Sequence, residues 1–218
     1  MKAFNRLLGI LDELREKCPW DKKQTMESLR NLTIEETYEL ADSILQKDMP
    51  EIKKELGDLL LHIVFYAKIA EEQKEFDISG VIDALCDKLV KRHPHVFGDT
   101  RVKDHKEVEK NWEEIKMKEG CRSILAGVPG SLPALIKSNR IQQKAKGVGF
   151  DWDEKEQIWD KIDEELRELR QEIDREHNDD IESEFGDLLF SIINAARLYD
   201  IDPENALEKT NQKFIKRF

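Results

Sequence analysis

Cysteine, glycine, proline, aromatics and long apolar runs are all scarce in this chain, and basic residues are outnumbered by acidic ones. The three cysteines, Cys18, Cys86 and Cys121, form an odd set with no CxxC spacing. That argues against a disulfide framework and fits reduced thiols in the cytoplasm. The longest apolar run, residues 59–67, falls far short of the roughly 20 residues that cross a bilayer, so no membrane role is expected. The opening MKAFNRLLGILDEL lacks the continuous apolar core of a signal peptide. No GxxxxGK[ST], GxGxxG or GxSxG occurs, which removes support for phosphate-loop and Ser-hydrolase mechanisms. A formal net charge of −11 argues against non-specific nucleic-acid binding, which needs a basic surface. A polyanion could bind so acidic a protein only where metal ions or a local Lys/Arg cluster reverse the sign.

What is abundant is Glu, Lys, Leu and Ile, in a chain of 218 residues that is 39% hydrophobic and 38% charged. Straight-chain residues lose little rotamer freedom in a helix, so an all-α fold is expected. The chain also repeats itself. Residues 35–67 lie over 164–196 at a constant offset of 129 without a gap, placing EETYEL on EELREL and ELGDLL on EFGDLL. Apolar positions repeat too, Ile44 with Ile173 and Ile63 with Ile192. Beyond a four-residue deletion, Lys88 and Arg92 correspond to Lys213 and Arg217; upstream, Trp20-Asp21 corresponds to Trp152-Asp153. Gly120 to Pro133 concentrates Gly and Pro and marks a connection. We therefore divide the chain into an N-terminal repeat over 1–119, a linker over 120–134 and a C-terminal repeat over 135–218. Each repeat predicts a helix with a first Glu cluster, a short turn (Lys47 to Pro50; Glu176 to Asp179), a second helix opened in the first copy by Pro50, and a third helix with the basic pair.

Glu36 and Glu39 are three apart, as are Glu55 and Asp58, so each pair shares one helix face. In an antiparallel hairpin with about 1.5 Å rise per residue, Glu39 and Asp58 come to one level, with Glu36 and Glu55 within about a turn. The same holds for Glu165, Glu168, Glu184 and Asp187. Four carboxylates in one cross-section repel one another unless a cation compensates. Hard oxygen donors without Cys select Mg²⁺, with Mn²⁺ as substitute. One ExxE pair in a chain with 47 acidic residues would mean only a solvated helix face. The context adds weight. In residues 186–196 the polar positions Asp187, Ser191 and Asn194 recur at i, i+4, i+7 along an otherwise apolar helix, which points to a bound ligand. The first copy has Asp58 and His62 but carries Phe65 in the place of Asn194; His62 reads as a satisfied core or rim histidine. Lys213 and Arg217, mirrored by Lys88 and Arg92, form a phosphate clamp because both copies keep the spacing. His93-Pro94-His95 reads as a helix end, and Trp20, Phe150 and Trp152 as packing residues.

These residues resemble the all-α nucleoside triphosphate pyrophosphohydrolases, and among them the two-repeat MazG group. The likeness rests on EExxE followed by ExxD at 35–39 with 55–58 and at 164–168 with 184–187, and on CPWDKKQT, KRHPHVF, SLPAL and VGFDW. It covers nearly the whole chain. It implies Mg²⁺-dependent cleavage of nucleoside triphosphates to monophosphate and pyrophosphate, with broad nucleotide specificity, in a homodimer built from metal-centred helix bundles. The second copy would be the active one. By position, Glu165, Glu168, Glu184 and Asp187 would hold the metal, Glu168 or Glu165 would orient or deprotonate water, and Glu164, Asn194, Lys213 and Arg217 would meet the substrate. Glu36, Glu39, Glu55 and Asp58, with Lys88 and Arg92, form a second such set. Similar proteins continue past Arg217-Phe218 into further helix with base contacts, whereas this sequence stops mid-pattern, either cut or without that tail. Two rival readings are a di-iron carboxylate bundle, which needs a Glu-x-x-His that neither copy supplies, and a non-catalytic regulatory or scaffolding module.

Overall fold

Helical periodicity and good capping give ten α-helices and no strand among the described residues, so the all-α class forms as expected. The structure, a computed structural model, describes residues 2–119, 123–152, 154–176 and 178–218; Cys121, Asp153 and His177 fall outside them.

In the first hairpin, Thr25 caps helix α2 (Met26–Gln46) through a reciprocal box. Its Oγ1 accepts from the Ser28 N–H at 3.2 Å while Ser28 Oγ accepts from the Thr25 N–H at 2.9 Å. The helix stops at Lys47, whose φ of 59° is left-handed. Asp48 then caps α3 (Met49–Glu72) by accepting from the Glu51 N–H, with Pro50 in the first turn, where its missing donor is not needed. The second hairpin repeats the reversal. Glu176, equivalent to Lys47, also has φ 59° between α8 (Gln157–Arg175) and α9 (Asn178–Leu198). Side chains rarely adopt that conformation, so its recurrence shows how strongly the packed hairpin dictates the turn.

The helices gather into two compact units, 1–98 and 99–218. In the first, α1 (Lys2–Lys17), a 3₁₀ turn at Asp21–Lys23, α2, α3, α4 (Ile78–Arg92) and the short α5 (Pro94–Phe97) surround a core of Leu11, Leu29, Val64, Phe65 and Ile69. Pro94 opens α5 directly after His93 closes α4, as the His-Pro-His spacing predicts. The second contains α6 (His105–Lys118), a 3₁₀ turn at Ile124–Gly127, α7 (Ala134–Lys146), α8, α9 and α10 (Pro203–Arg217). Its core is smaller, Ile158, Ala195 and Leu198 with Ile162 packed against them, and α7 lies on α9 and α10. These units reflect packing, whereas the division at 120–134 reflects sequence likeness. Trp20, Phe150 and Trp152, expected to pack, are instead exposed, Phe150 to 81%.

Candidate functional site: two carboxylate hairpins

Helices α2 and α3 pack side by side, as do α8 and α9, and each pair turns acidic side chains toward one level. In the first, oxygens of Glu36, Glu39 and Glu55 lie within 4.8 Å of one another; in the second, those of Glu165, Glu184 and Asp187 do. Asp58 and Glu168 are not in these trios, yet their charges act on Glu36 and Glu184 respectively. The hairpins thus bring three of the four expected ligands together, with a different one left out in each copy.

Such crowding has an electrostatic signature. Burial pushes the Glu184 carboxyl above the usual range, and the charges of Glu168, Asp187 and Glu165 push the same way. Glu36 is raised likewise, by burial first and then by Asp58, Glu39 and Glu55. Glu55 is only 2% exposed and Glu165 only 5%. Glu55 Oε2 and Glu184 Oε2 are buried with no hydrogen-bond partner. For Glu55, 2% exposed, an orphaned carboxylate oxygen costs roughly 1–3 kcal/mol or more. A hard divalent cation supplies the missing partner, and an all-oxygen donor set suits Mg²⁺ or Mn²⁺. The residues present therefore fit a metal.

Lysines offset part of the charge, and sequence reasoning missed them. Lys161 Nζ lies 2.7 Å from Glu165 and 3.2 Å from Glu164. Lys54 Nζ lies 2.7 Å from Glu55. The signal was legible for Lys161, one helical turn before Glu165. The two lysines are not equivalents: Leu32 stands in the place of Lys161, and Ser183 in the place of Lys54.

His62 is a satisfied histidine. Its Nδ1 is 2.8 Å from Thr33 Oγ1, which also lies 2.7 Å from Tyr66 Oη and donates to the Leu29 carbonyl at 2.9 Å. Burial lowers its pKa, with Asp58 opposing. Asn194 is half-buried, and its Oδ1 accepts from Arg197 Nε at 3.0 Å and Nη2 at 2.7 Å. Arg197 is buried and pairs with Asp151; burial pushes that carboxyl up, but the Arg197 hydrogen bond and charge, the Trp152 backbone hydrogen bond and the Lys146 charge together hold it below its usual range. Neither Arg197 nor Asp151 was singled out from sequence. Lys213 and Arg217 are exposed on α10, as is Lys88 on α4, while Arg92 is half-buried there.

An acidic trio between two antiparallel helices, built twice in one all-α chain, defines a class of helical proteins whose clustered carboxylates could hold a metal ion. The MazG nucleotide pyrophosphohydrolase domain matches residues 24–97 and again 153–218, and the chain belongs to that family. Hydrolases of this family depend on a metal. The chain is 46% identical over 220 residues to the nucleoside triphosphate pyrophosphohydrolase/pyrophosphatase MazG of Thermotoga maritima, spanning 99% of this chain and 84% of that protein. It is 42% identical over 227 residues to a nucleoside triphosphate pyrophosphohydrolase of Escherichia coli K12, spanning 100% and 86%. A solved mazG-related protein from Thermotoga maritima matches at 29% identity over 52% of this chain and 98% of its own, with a TM-score of 0.46.

Proposed function

We propose that the protein hydrolyses nucleoside triphosphates to monophosphate and pyrophosphate at the second hairpin, with Mg²⁺ held by Glu165, Glu184 and Asp187 and by Glu168 beside them. The observation that carries this reading is the buried, unpartnered Glu184 Oε2 inside an acidic trio. Membership of the family and the names of full-length relatives support it. Bound Mg²⁺ supplies Lewis-acid polarisation of the phosphates and an activated water. Glu168, exposed and outside the trio, would orient that water and take its proton, while the buried Glu165, already paired with Lys161, would serve as ligand. Lys213 and Arg217, one turn apart on α10, Asn194 on α9 and Glu164 beside Glu165 make the substrate contacts, the two cations meeting charge that develops on pyrophosphate. The first hairpin, with its set Glu36, Glu39, Glu55 and Asp58 and the cations Lys88 and Arg92, serves mainly as structure. We retain 1–119 and 135–218 as the two repeats.

A homodimer is part of the proposal. Leu56, Leu60 and Ile63 on α3 are exposed at i, i+4, i+7, and so are their equivalents Phe185, Leu189 and Ile192 on α9. An apolar stripe of that kind wants a partner helix. A monomer by light scattering at micromolar concentration would overturn it. Among the described residues no helix is long and apolar enough to cross a membrane, and we place the protein in the cytoplasm.

Incubation with a nucleoside triphosphate and Mg²⁺ should release pyrophosphate, and excess EDTA should abolish the release until Mg²⁺ or Mn²⁺ is restored. Release of orthophosphate alone, or full activity in chelator, would sink the reading.

A further inference from the structure

Asn194 stands two turns beyond Asp187 on the same face of α9, about 10 Å along the axis, so one extended nucleotide can reach both. Its amide orientation is fixed by chemistry. A guanidinium carries only donors, so the atom facing Arg197 Nε and Nη2 must be the Asn194 oxygen. The NH₂ group is thereby turned away from Arg197, and among the described residues it has no hydrogen-bond partner. Arg197 cannot drift, because it is 8% exposed and its other edge is held by both carboxylate oxygens of Asp151. Arg197 thus grips one neutral amide while Asp151, 46 positions away in the chain, holds Arg197 in place.

The first copy has no such device. Phe65 fills the position of Asn194 as a core residue, and Lys68, in the place of Arg197, pairs with Asp12 at 2.7 Å and Glu71 at 2.9 Å. The fork is therefore not a requirement of the hairpin itself.

We propose that Arg197 and Asp151 are positioning residues that hold the Asn194 amide with its NH₂ presented as a hydrogen-bond donor to an acceptor oxygen of the bound nucleotide. The proposal rests on the functional reading of the second hairpin. Asn194→Ala removes the donor without adding charge, and Asn194→Asp removes it while leaving acceptors for Arg197. Both should raise the nucleoside triphosphate KM about tenfold, with kcat within a few-fold and Mn²⁺ affinity, read by electron paramagnetic resonance, unchanged. Arg197→Lys keeps the charge but loses the fork, and should raise KM with little change in kcat; if that variant fails to fold, Asp151→Asn takes its place. Binding of tripolyphosphate distinguishes the two sources of the acceptor: it weakens along with the nucleotide if the partner is a phosphate, and is unchanged if the partner lies on the nucleoside. A wild-type KM for Asn194→Ala overturns the proposal, as does an Arg197→Lys or Asp151→Asn protein that melts earlier but keeps its KM. Were the wild type to turn over no triphosphate, the dissociation constant of an analogue with a non-hydrolysable α,β-bridge would serve instead of KM. Binding without turnover would fail the functional reading alone, and no binding would fail both.

Discussion

The two hairpins share a turn, a carboxylate spacing and a buried anchor, Leu29 in one and Ile158 in the other, each 1% exposed. They differ in what fills the space behind the carboxylates. Behind Asp58 the first copy has His62, Phe65 and Tyr66; behind Asp187 the second has Ser191, Asn194 and Ala195. In the first, Thr33 ties His62 and Tyr66 together, and Phe65 sits 2% exposed in the core beneath the Arg15 guanidinium, 5.4 Å from its ring centroid. In the second, Ile162 replaces Thr33, the ring residues are gone, and the Asn194 NH₂ has no hydrogen-bond partner among the described residues. The lesson is that a carboxylate motif does not by itself make two copies equivalent. Behind the carboxylates, one copy ties His62 and Tyr66 to Thr33 and adds a larger core, while the other leaves the Asn194 NH₂ without a partner among the described residues.

That contrast is broken or sharpened most strongly at the carboxylates. Asp187→Ala or Glu168→Ala should cut pyrophosphate release by on the order of 10²-fold, about 2.7 kcal/mol of barrier, since each removes a charge from the site where the reaction is placed. Asp58→Ala and Glu39→Ala should change the initial rate only a few-fold. Equal damage from Asp58→Ala and Asp187→Ala, both still folded by circular dichroism, would make both hairpins active sites. A smaller effect probes the other side of the contrast. Thr33→Val removes the hydroxyl shared by His62 and Tyr66, and should cost about 1–2 kcal/mol in urea unfolding with turnover kept. A loss of turnover without a loss of stability would mean that the first hairpin belongs to the catalytic machinery.

The fold and the carboxylates were legible because they depend on local periodicity. An offset of 129 without a gap fixes both hairpins, and three-residue spacing places Glu55 with Asp58 and Glu184 with Asp187 on one face each. Pro50 marked its turn correctly. The rest depends on pairings that periodicity does not carry. Asn194 looked like a polar residue awaiting a ligand, but half of its amide is used by Arg197, and the partner that holds Arg197 lies on a loop far away in the chain. Thr33 reaches His62 across the hairpin by the same kind of long-range contact. Lys54 was visible in sequence, but only the packed hairpin shows its ammonium against the buried oxygen of Glu55. Trp20, Phe150 and Trp152 are exposed and do not pack as expected, because an aromatic in sequence carries no record of whether anything covers it.

The smallest expected effect is in pH-dependent stability, and it tests whether both hairpins carry the same electrostatic load. Glu36 in the first and Glu184 in the second are each raised above the ordinary 4.5, by burial first and by neighbouring carboxylates second. A carboxyl raised on folding binds its proton more readily in the folded state than in the unfolded one. Its stabilising contribution is therefore complete below about pH 4.5 and is lost as pH rises through the folded value. In chelator, the melting temperature should consequently climb as pH is lowered from 7 toward 4.5. Below that window the trend turns. Glu72, lowered chiefly by the Arg15 hydrogen bond, and Asp151, where Arg197, Trp152 and Lys146 together outweigh burial, lose their contributions as pH falls through their folded values. Saturating Mg²⁺ should reverse the upper part of the profile, because protons then compete with the metal for the same oxygens. Glu36→Gln and Glu184→Gln each remove one raised group and should flatten the chelator profile between pH 7 and 4.5 by similar amounts. If only Glu36→Gln flattens it, the second hairpin holds no strained carboxylates, and its claim to the metal falls with them.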